Sequence, residues 1–253
     1  MGTVHALSQA HMRRQVTQAA TIQAALAVAY DRTLDPTNLD RSFAEFSRYS
    51  LPLIMAGRDL GIATADTYYT SAKAASRLGK KTPSVKPRPL NLERAVTSLR
   101  VVGPVNAKSK IARGTPVNQA MTAAKAATLG SAKRLILEAP RLFLIDSTVA
   151  DSDARGWARV SDGQPCAFCA MLVSRGPVYS ETSGDFEAHD KCGCSVMAVF
   201  RNDPTGGWTD GSRALHDLWN SAPDLSAFRT NYAESLTGDS LPETLAATAE
   251  AAA

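Results

Sequence analysis

All four cysteines of the chain lie within residues 166–194, CAFCAMLVSRGPVYSETSGDFEAHDKCGC. A thiolate is a nucleophile and also a soft metal ligand, so the clustering asks which chemistry the segment serves. Cys166 and Cys169 are separated by two residues, a span at which two sulfurs can grip one ion. Beyond residues 170–188, His189, Cys192 and Cys194 offer three more donors. Zinc takes four such donors in a tetrahedron with Zn–S about 2.3 Å, and a site closed entirely by side chains is structural. Five candidates compete for four places. Alternate side chains of a strand share a face, so Cys192 and Cys194 can point the same way and spacing excludes neither. The favoured set is Cys166, Cys169, His189 and Cys192, with Cys194 as an alternative ligand or a buried thiol.

Other uses of the same residues fit less well. Two disulfides are numerically possible, but a Cys-x-x-Cys pair closed on itself is strained, and the N-terminus carries no apolar signal segment that would send the chain to an oxidising compartment. A thioredoxin-like motif needs a βαβ context that is not apparent here. Simple buried thiols remain as a further reading. Asp162, Asp185 and Asp190 surround the window and can orient a ligand histidine. His5, His11 and His216 are isolated and read as surface residues. No nucleophile elbow, H-E-x-x-H helix or phosphate-binding loop occurs, so no catalytic residue is assigned and no small-molecule substrate is expected.

The elements that must carry this window begin with helices. Hydrophobic residues make up 44% of the chain and aromatics only 6%, an alanine-rich balance that favours helix. Met12, Val16, Ala19, Ile22, Leu26 and Tyr30 form one helical face. Asp35 can cap a second helix with Pro36 in its first turn, and Leu39, Phe43, Phe46, Ser50 and Leu53 continue the spacing until Pro52, where a kink or division is expected. A third helical stretch runs from about Leu60 to Leu78. Another follows from about Pro116 to Ala139, with Pro140 kinking or ending it. After Asp151 the period changes. GWARVSDG reads as a short strand and turn, and SVMAVF (195–200) as a closing strand. Trp157 is expected to pack the small unit, and Trp219 one short C-terminal helix. The acidic tail from Glu234 is expected to fray. The fold class expected is α+β: a mainly helical N-terminal region (1–79), a basic linker and long helix (80–150), a small zinc-stapled β/α module (151–203) and a C-terminal extension (204–253). No apolar run is long enough to span a membrane.

Net charge is only +4, too little to imply nucleic-acid binding by itself. The charge is unevenly placed, however. Residues 80–113 hold nine Lys/Arg against the single acid Glu93. Lys80, Lys81, Lys86 and Arg88 are the candidates for contact with DNA phosphates, against the alternatives of a solvated linker or a patch for an acidic protein. No aromatics interleave with them, so base stacking is not expected.

The segment GWARVSDGQPCAFCAMLVSRGPVY, followed by AHDKCGC, resembles the C-terminal module of phage Mu F-like head morphogenesis (minor capsid) proteins, in the form found in tailed phages of actinobacteria. The likeness extends over residues 8–200 and is most specific in 156–200. The family often reads H-P-x-C-R-C; here Asp190 and Gly193 stand in the variable places and the candidate ligands are kept. The resemblance implies a non-enzymatic, portal-associated protein of the virion interior, made in the host cytoplasm. It would assist head assembly or DNA packaging, with portal, scaffold or major capsid protein as partners and packaged DNA as a further contact. The alternatives are a zinc-dependent nuclease, a head maturation protease, and a DNA-binding zinc module.

Overall fold

The computed structural model describes residues 3–161, 165–180 and 186–237. Helix α1 (Thr3–Thr33) and helix α2 (Leu39–Ala75) form an antiparallel hairpin, and the long helix α5 (Val117–Ala150) packs against both. Between them run α3 (Leu92–Arg100), a π-helical turn (Val101–Val105) and α4 (Asn106–Ala112). Strand β1 (Ala154–Val160) and strand β2 (Ser195–Phe200) flank α6 (Ala167–Ser174), and α7 (Asp210–Asn220) and α8 (Leu225–Thr237) complete the described chain.

The helical core is the one the spacing anticipates. Leu26, Tyr30, Leu39, Phe43, Phe46 and Ile54 bury against Leu99, Leu135 and Ile136. Of the proline expectations, the division at Pro52 and the ending at Pro140 are not found. Pro52 lies within an unbroken α2, where its ring faces solvent. Pro140 lies within α5, which runs ten residues past it to Ala150. The Pro140 ring packs so closely on Gly61 that a Cβ there would stand 3.1 Å from its Cγ, and this notch in α2 keeps the interrupted helix seated. Packing on both sides outweighs the local cost of a mid-helix proline, about 3 kcal/mol. The stretch from Leu60 is thus the second half of α2. Asp35 does not cap α2. Its carboxylate accepts from the Thr37 backbone and hydroxyl, closing an Asx turn, and Asn38 stands at the N-cap.

The two strands pair antiparallel, with Trp157 opposite Ala198 and Val160 opposite Ser195. A two-stranded ribbon is marginal alone; here both faces are covered. Val196, Ala198 and Phe200 join Tyr69 of α2 and Leu144 of α5 on one side, while Ala158, Val160, Met197 and Val199 meet Met12 of α1 on the other. Helix α1 therefore crosses from the helical core onto the sheet. Trp157 is buried and stacks on Tyr179, as expected of a core residue. The C-terminal part contains two helices rather than one: Leu215 of α7 and Phe228 and Tyr232 of α8 bury against Ala170 and Val173 of α6, and Trp219 packs edge-on to Phe228. Of the tail expected to fray from Glu234, residues 234–237 belong to α8, and the rest lies outside the described residues. No helix among the described residues is long and apolar enough to cross a membrane.

Candidate metal centre

Helix α6 begins at Cys166, which is extended and serves as its N-cap, the thiol accepting from the Cys169 backbone N–H at 3.5 Å. One helical turn thus sets both sulfurs on the same side, at the end of a helix where negative charge is favoured. The second half of the site sits in the loop that enters β2. Lys191 adopts a left-handed conformation (φ 71°), and the Cys192 N–H bonds back to the His189 carbonyl at 3.2 Å, so the turn folds His189 beside Cys192. The Lys191 N–H donates to the Gly130 carbonyl of α5, and the Lys191 stem lies where a Cβ on Gly130 would approach it to 2.8 Å. Glycine at 130 is what lets the loop dock on α5.

The donors converge. His189 Nε2 is 3.1 Å from Cys166 Sγ and 3.3 Å from Cys169 Sγ, and Cys169 Sγ is 3.7 Å from Cys192 Sγ. Two triads of donors result, Cys166–Cys169–His189 and Cys169–Cys192–Cys194, each with its donor atoms within 4.8 Å of one another and Cys169 common to both. A tetrahedral zinc at ordinary bond lengths would separate sulfurs by about 3.8 Å, and sulfur from nitrogen by about 3.6 Å. The Cys166–Cys169–His189 triad has edges close to these, and Cys192 reaches it through Cys169, so a four-donor site closes when Cys192 moves in towards the other two donors. All four cysteines are free thiols, which leaves the disulfide reading without support. His189 Nδ1 lies 2.6 Å from the Asp190 carbonyl, so the proton belongs on Nδ1 and the Nε2 lone pair faces the sulfurs.

Asp190 orients the histidine through its backbone. Its carboxylate pairs instead with Arg134 of α5 at 2.8 Å, and Arg134 also donates to Ser98 of α3. Asp162 and Asp185 lie outside the described residues. The sulfurs also shift one another. Cys192 is held well below the ordinary thiol range by hydrogen bonds from Cys169 and then Cys194, with the Arg141 charge adding to them against burial. Cys169 is pushed up to about 12, chiefly by its hydrogen bond with Cys192. Before any ion arrives the pocket favours a single thiolate, Cys192, with Cys169 and Cys194 held as thiols beside it.

The basic segment is placed differently from the expectation in one respect. Lys80, Lys81 and Lys86 are exposed on an extended stretch. Arg88, by contrast, grips Asp146 of α5 with two hydrogen bonds, at 2.9 and 2.6 Å. Arg94 meets Glu138, Lys108 meets Asp40, and Arg100 lies over the Phe43 ring. Much of the charge of 80–113 thus fastens the linker and short helices onto α2 and α5.

Two features escaped sequence reasoning. His11 is buried and stacked on Tyr68 with ring centroids 4.6 Å apart, where a surface position was expected. Among the described residues neither ring nitrogen meets a partner at hydrogen-bonding geometry, and burial first, then Arg14, pushes its pKa down to about 3 against a weaker upward pull from the Thr64 backbone. Its place on the α1 stripe with Ser8 and Gln15 was the available signal. Lys73 of α2 is buried between Asp151 (2.7 Å) and Asp153 (3.1 Å), with Tyr69 donating to Asp151 at 3.1 Å, and so pins the end of α5 and the start of β1 to α2. His216 is half-buried, its Nδ1 3.0 Å from the Ser174 carbonyl.

No curated protein and no solved structure matched the chain. The family model described as VG15 protein matches residues 4–222, from α1 through α7 and across both halves of the donor cluster, and the chain belongs to this viral, phage-type family.

Proposed function

We propose that the protein is a minor capsid (head morphogenesis) protein of a tailed phage, without enzymatic activity, and that its cysteine cluster is a structural zinc centre. The observation that carries the reading is the donor set itself. Two short-range motifs from opposite sides of the sheet connection meet around Cys169, with distances close to the edges of a zinc tetrahedron. Cys166, Cys169, His189 and Cys192 would hold the ion and Cys194 would lie beside it; bound there, zinc would supply a cross-link between α6 and the loop before β2. The neighbouring residues orient the histidine and neutralise charge. Among the described residues, the carboxylate beside His189, that of Asp190, is held by Arg134 rather than presented as the general base a nuclease or protease would need.

The protein would act inside the head near the portal, with portal, scaffold or major capsid subunits as partners. Mass spectrometry of purified heads is expected to find it in fewer copies than the major capsid protein. Its absence from both procapsids and mature heads would overturn the assignment. A second reading, that the linker also tracks packaged DNA, is favoured by Lys80, Lys81 and Lys86, which are exposed and have no carboxylate partner among the described residues. Arg88, the fourth candidate, is also exposed and shares its guanidinium with Asp146.

A further inference from the structure

Helix α5 sends one side chain beneath the cysteine loop. Arg141 is 1% exposed, and its Nε and one terminal nitrogen donate to the Cys194 and Cys192 carbonyls, each at 2.8 Å. Its guanidinium carbon lies 4.8 Å from the centre of the Phe186 ring, and a second buried arginine, Arg159, lies 3.6 Å from the same ring. Among the described residues no carboxylate pairs with Arg141, and its remaining terminal nitrogen has no hydrogen-bond partner. A buried guanidinium without a counter-charge is strongly disfavoured. The anion-forming groups that act on it are the sulfurs of Cys192, Cys194 and Cys169, while Arg159 opposes it.

Charge counting completes the argument. A divalent ion held by three thiolates and a neutral imidazole carries a net charge of about −1. Of the two buried guanidiniums here, Arg159 donates to the Glu187 carbonyl, while Arg141 is the one bonded to the ligand loop and balances that charge. The same side chain also ties down the carbonyls on either side of Gly193, so the loop that presents Cys192 is held by the cation that compensates it.

We infer that Arg141 is the counter-ion of the metal–thiolate centre, a positioning residue whose positive charge, beyond its hydrogen bonds, makes the sulfur cluster a tight metal site. This rests on the zinc reading above. It also explains why the loop is built against α5: metal affinity and docking of the loop on the long helix become one event.

The test separates charge from geometry by comparing Arg141→Lys and Arg141→Gln, each of which loses the planar fork and keeps at most one of the two carbonyl contacts, but of which only the lysine keeps the charge. Zinc affinity is measured on the full chain by chelator competition, and cobalt(II) spectra check that the ligand set is unchanged. The expected result is that Arg141→Gln binds zinc ~10- to 100-fold more weakly than the parent while Arg141→Lys stays within several-fold of it, with the same sulfur-to-cobalt bands in all three. Equal affinities, or the reverse order, would overturn the counter-ion role. Should Arg141→Gln fail to fold, Arg141→Lys decides alone: near-parental affinity supports the inference, and a loss as large as that of Cys166→Ser overturns it. A parent protein that is folded and reduced but binds neither zinc nor cobalt would instead reject the metal reading itself.

Discussion

The helical half and the cysteine segment are held together by different physics. In α1, α2 and α5, large apolar side chains such as Leu26, Phe43, Phe46, Ile54 and Leu135 bury one another, and the backbone satisfies itself within each helix. The segment from Pro165 to Cys194 has one helix of eight residues, Ala167–Ser174, among its described elements. Its backbone is completed from outside: Arg141 serves the Cys192 and Cys194 carbonyls, Gly130 receives the Lys191 N–H, Arg159 donates to the Glu187 carbonyl, and Tyr232 of α8 donates to the Pro165 carbonyl. A region with its own apolar core tolerates the loss of any one contact as a graded cost. A region held by one sulfur cluster, a few polar side chains and small apolar contacts such as those of Ala170 and Val173 is expected to lose its structure as a unit.

The largest expected break in that contrast is Cys169→Ser. Cys169 belongs to both donor triads, so its removal leaves neither able to close around an ion. Metal binding in comparable small units is worth ~10–16 kcal/mol, enough to decide whether the segment orders at all. Elemental analysis should fall from about one zinc per chain to none, and proteolysis should open 165–200 while the helices stay helical by circular dichroism. Cys194→Ser should keep its zinc if Cys192 is the fourth ligand; loss of metal in that variant would exchange the two roles.

A smaller and graded effect is expected from Phe46→Ala, which empties a fully buried place in the helical core. The cost should be ~3–5 kcal/mol in chemical denaturation, with zinc content unchanged in the folded fraction. Simultaneous loss of metal would mean that the two regions fold as one unit.

The smallest effect sits where they meet. His11, on the part of α1 that reaches the sheet, has a folded pKa of about 3 against an ordinary 6.5, because burial disfavours its charged form. The unfolded chain binds this proton more readily, so the contribution is intact above pH 6.5 and is lost as pH falls towards 3. At pH 4 the loss should be on the order of 3 kcal/mol. His11→Phe keeps a ring against Tyr68 and should remove that part of the acid sensitivity. An unchanged pH profile of unfolding would show that His11 stays neutral by other means.

Much of the fold was legible because it rests on local rules. The α1 face from Met12 to Tyr30 and the strand at SVMAVF follow from side-chain period. The prolines misled for a related reason. Local rules penalise Pro52 and Pro140 alike, but the seat of Pro140 on Gly61 is a contact between residues 79 apart in the chain. His11 misled because an isolated polar residue looks exposed until the partner that covers it, Tyr68, is known.

The sequence by itself determined the donor inventory and its spacing: two sulfurs three residues apart, then a histidine and two more sulfurs within 189–194, on a mainly helical chain. That much is local, since ligand type and short-range reach are properties of neighbouring residues. Only the tertiary structure decided that both halves meet at Cys169, that Arg88 belongs to Asp146, and that a buried arginine from α5 stands under the sulfurs. Those facts depend on which helix face the loop docks against. Side-chain periodicity says that such a face is buried, but it is silent on what buries it, because the burial of apolar area is not directional and does not name its partner.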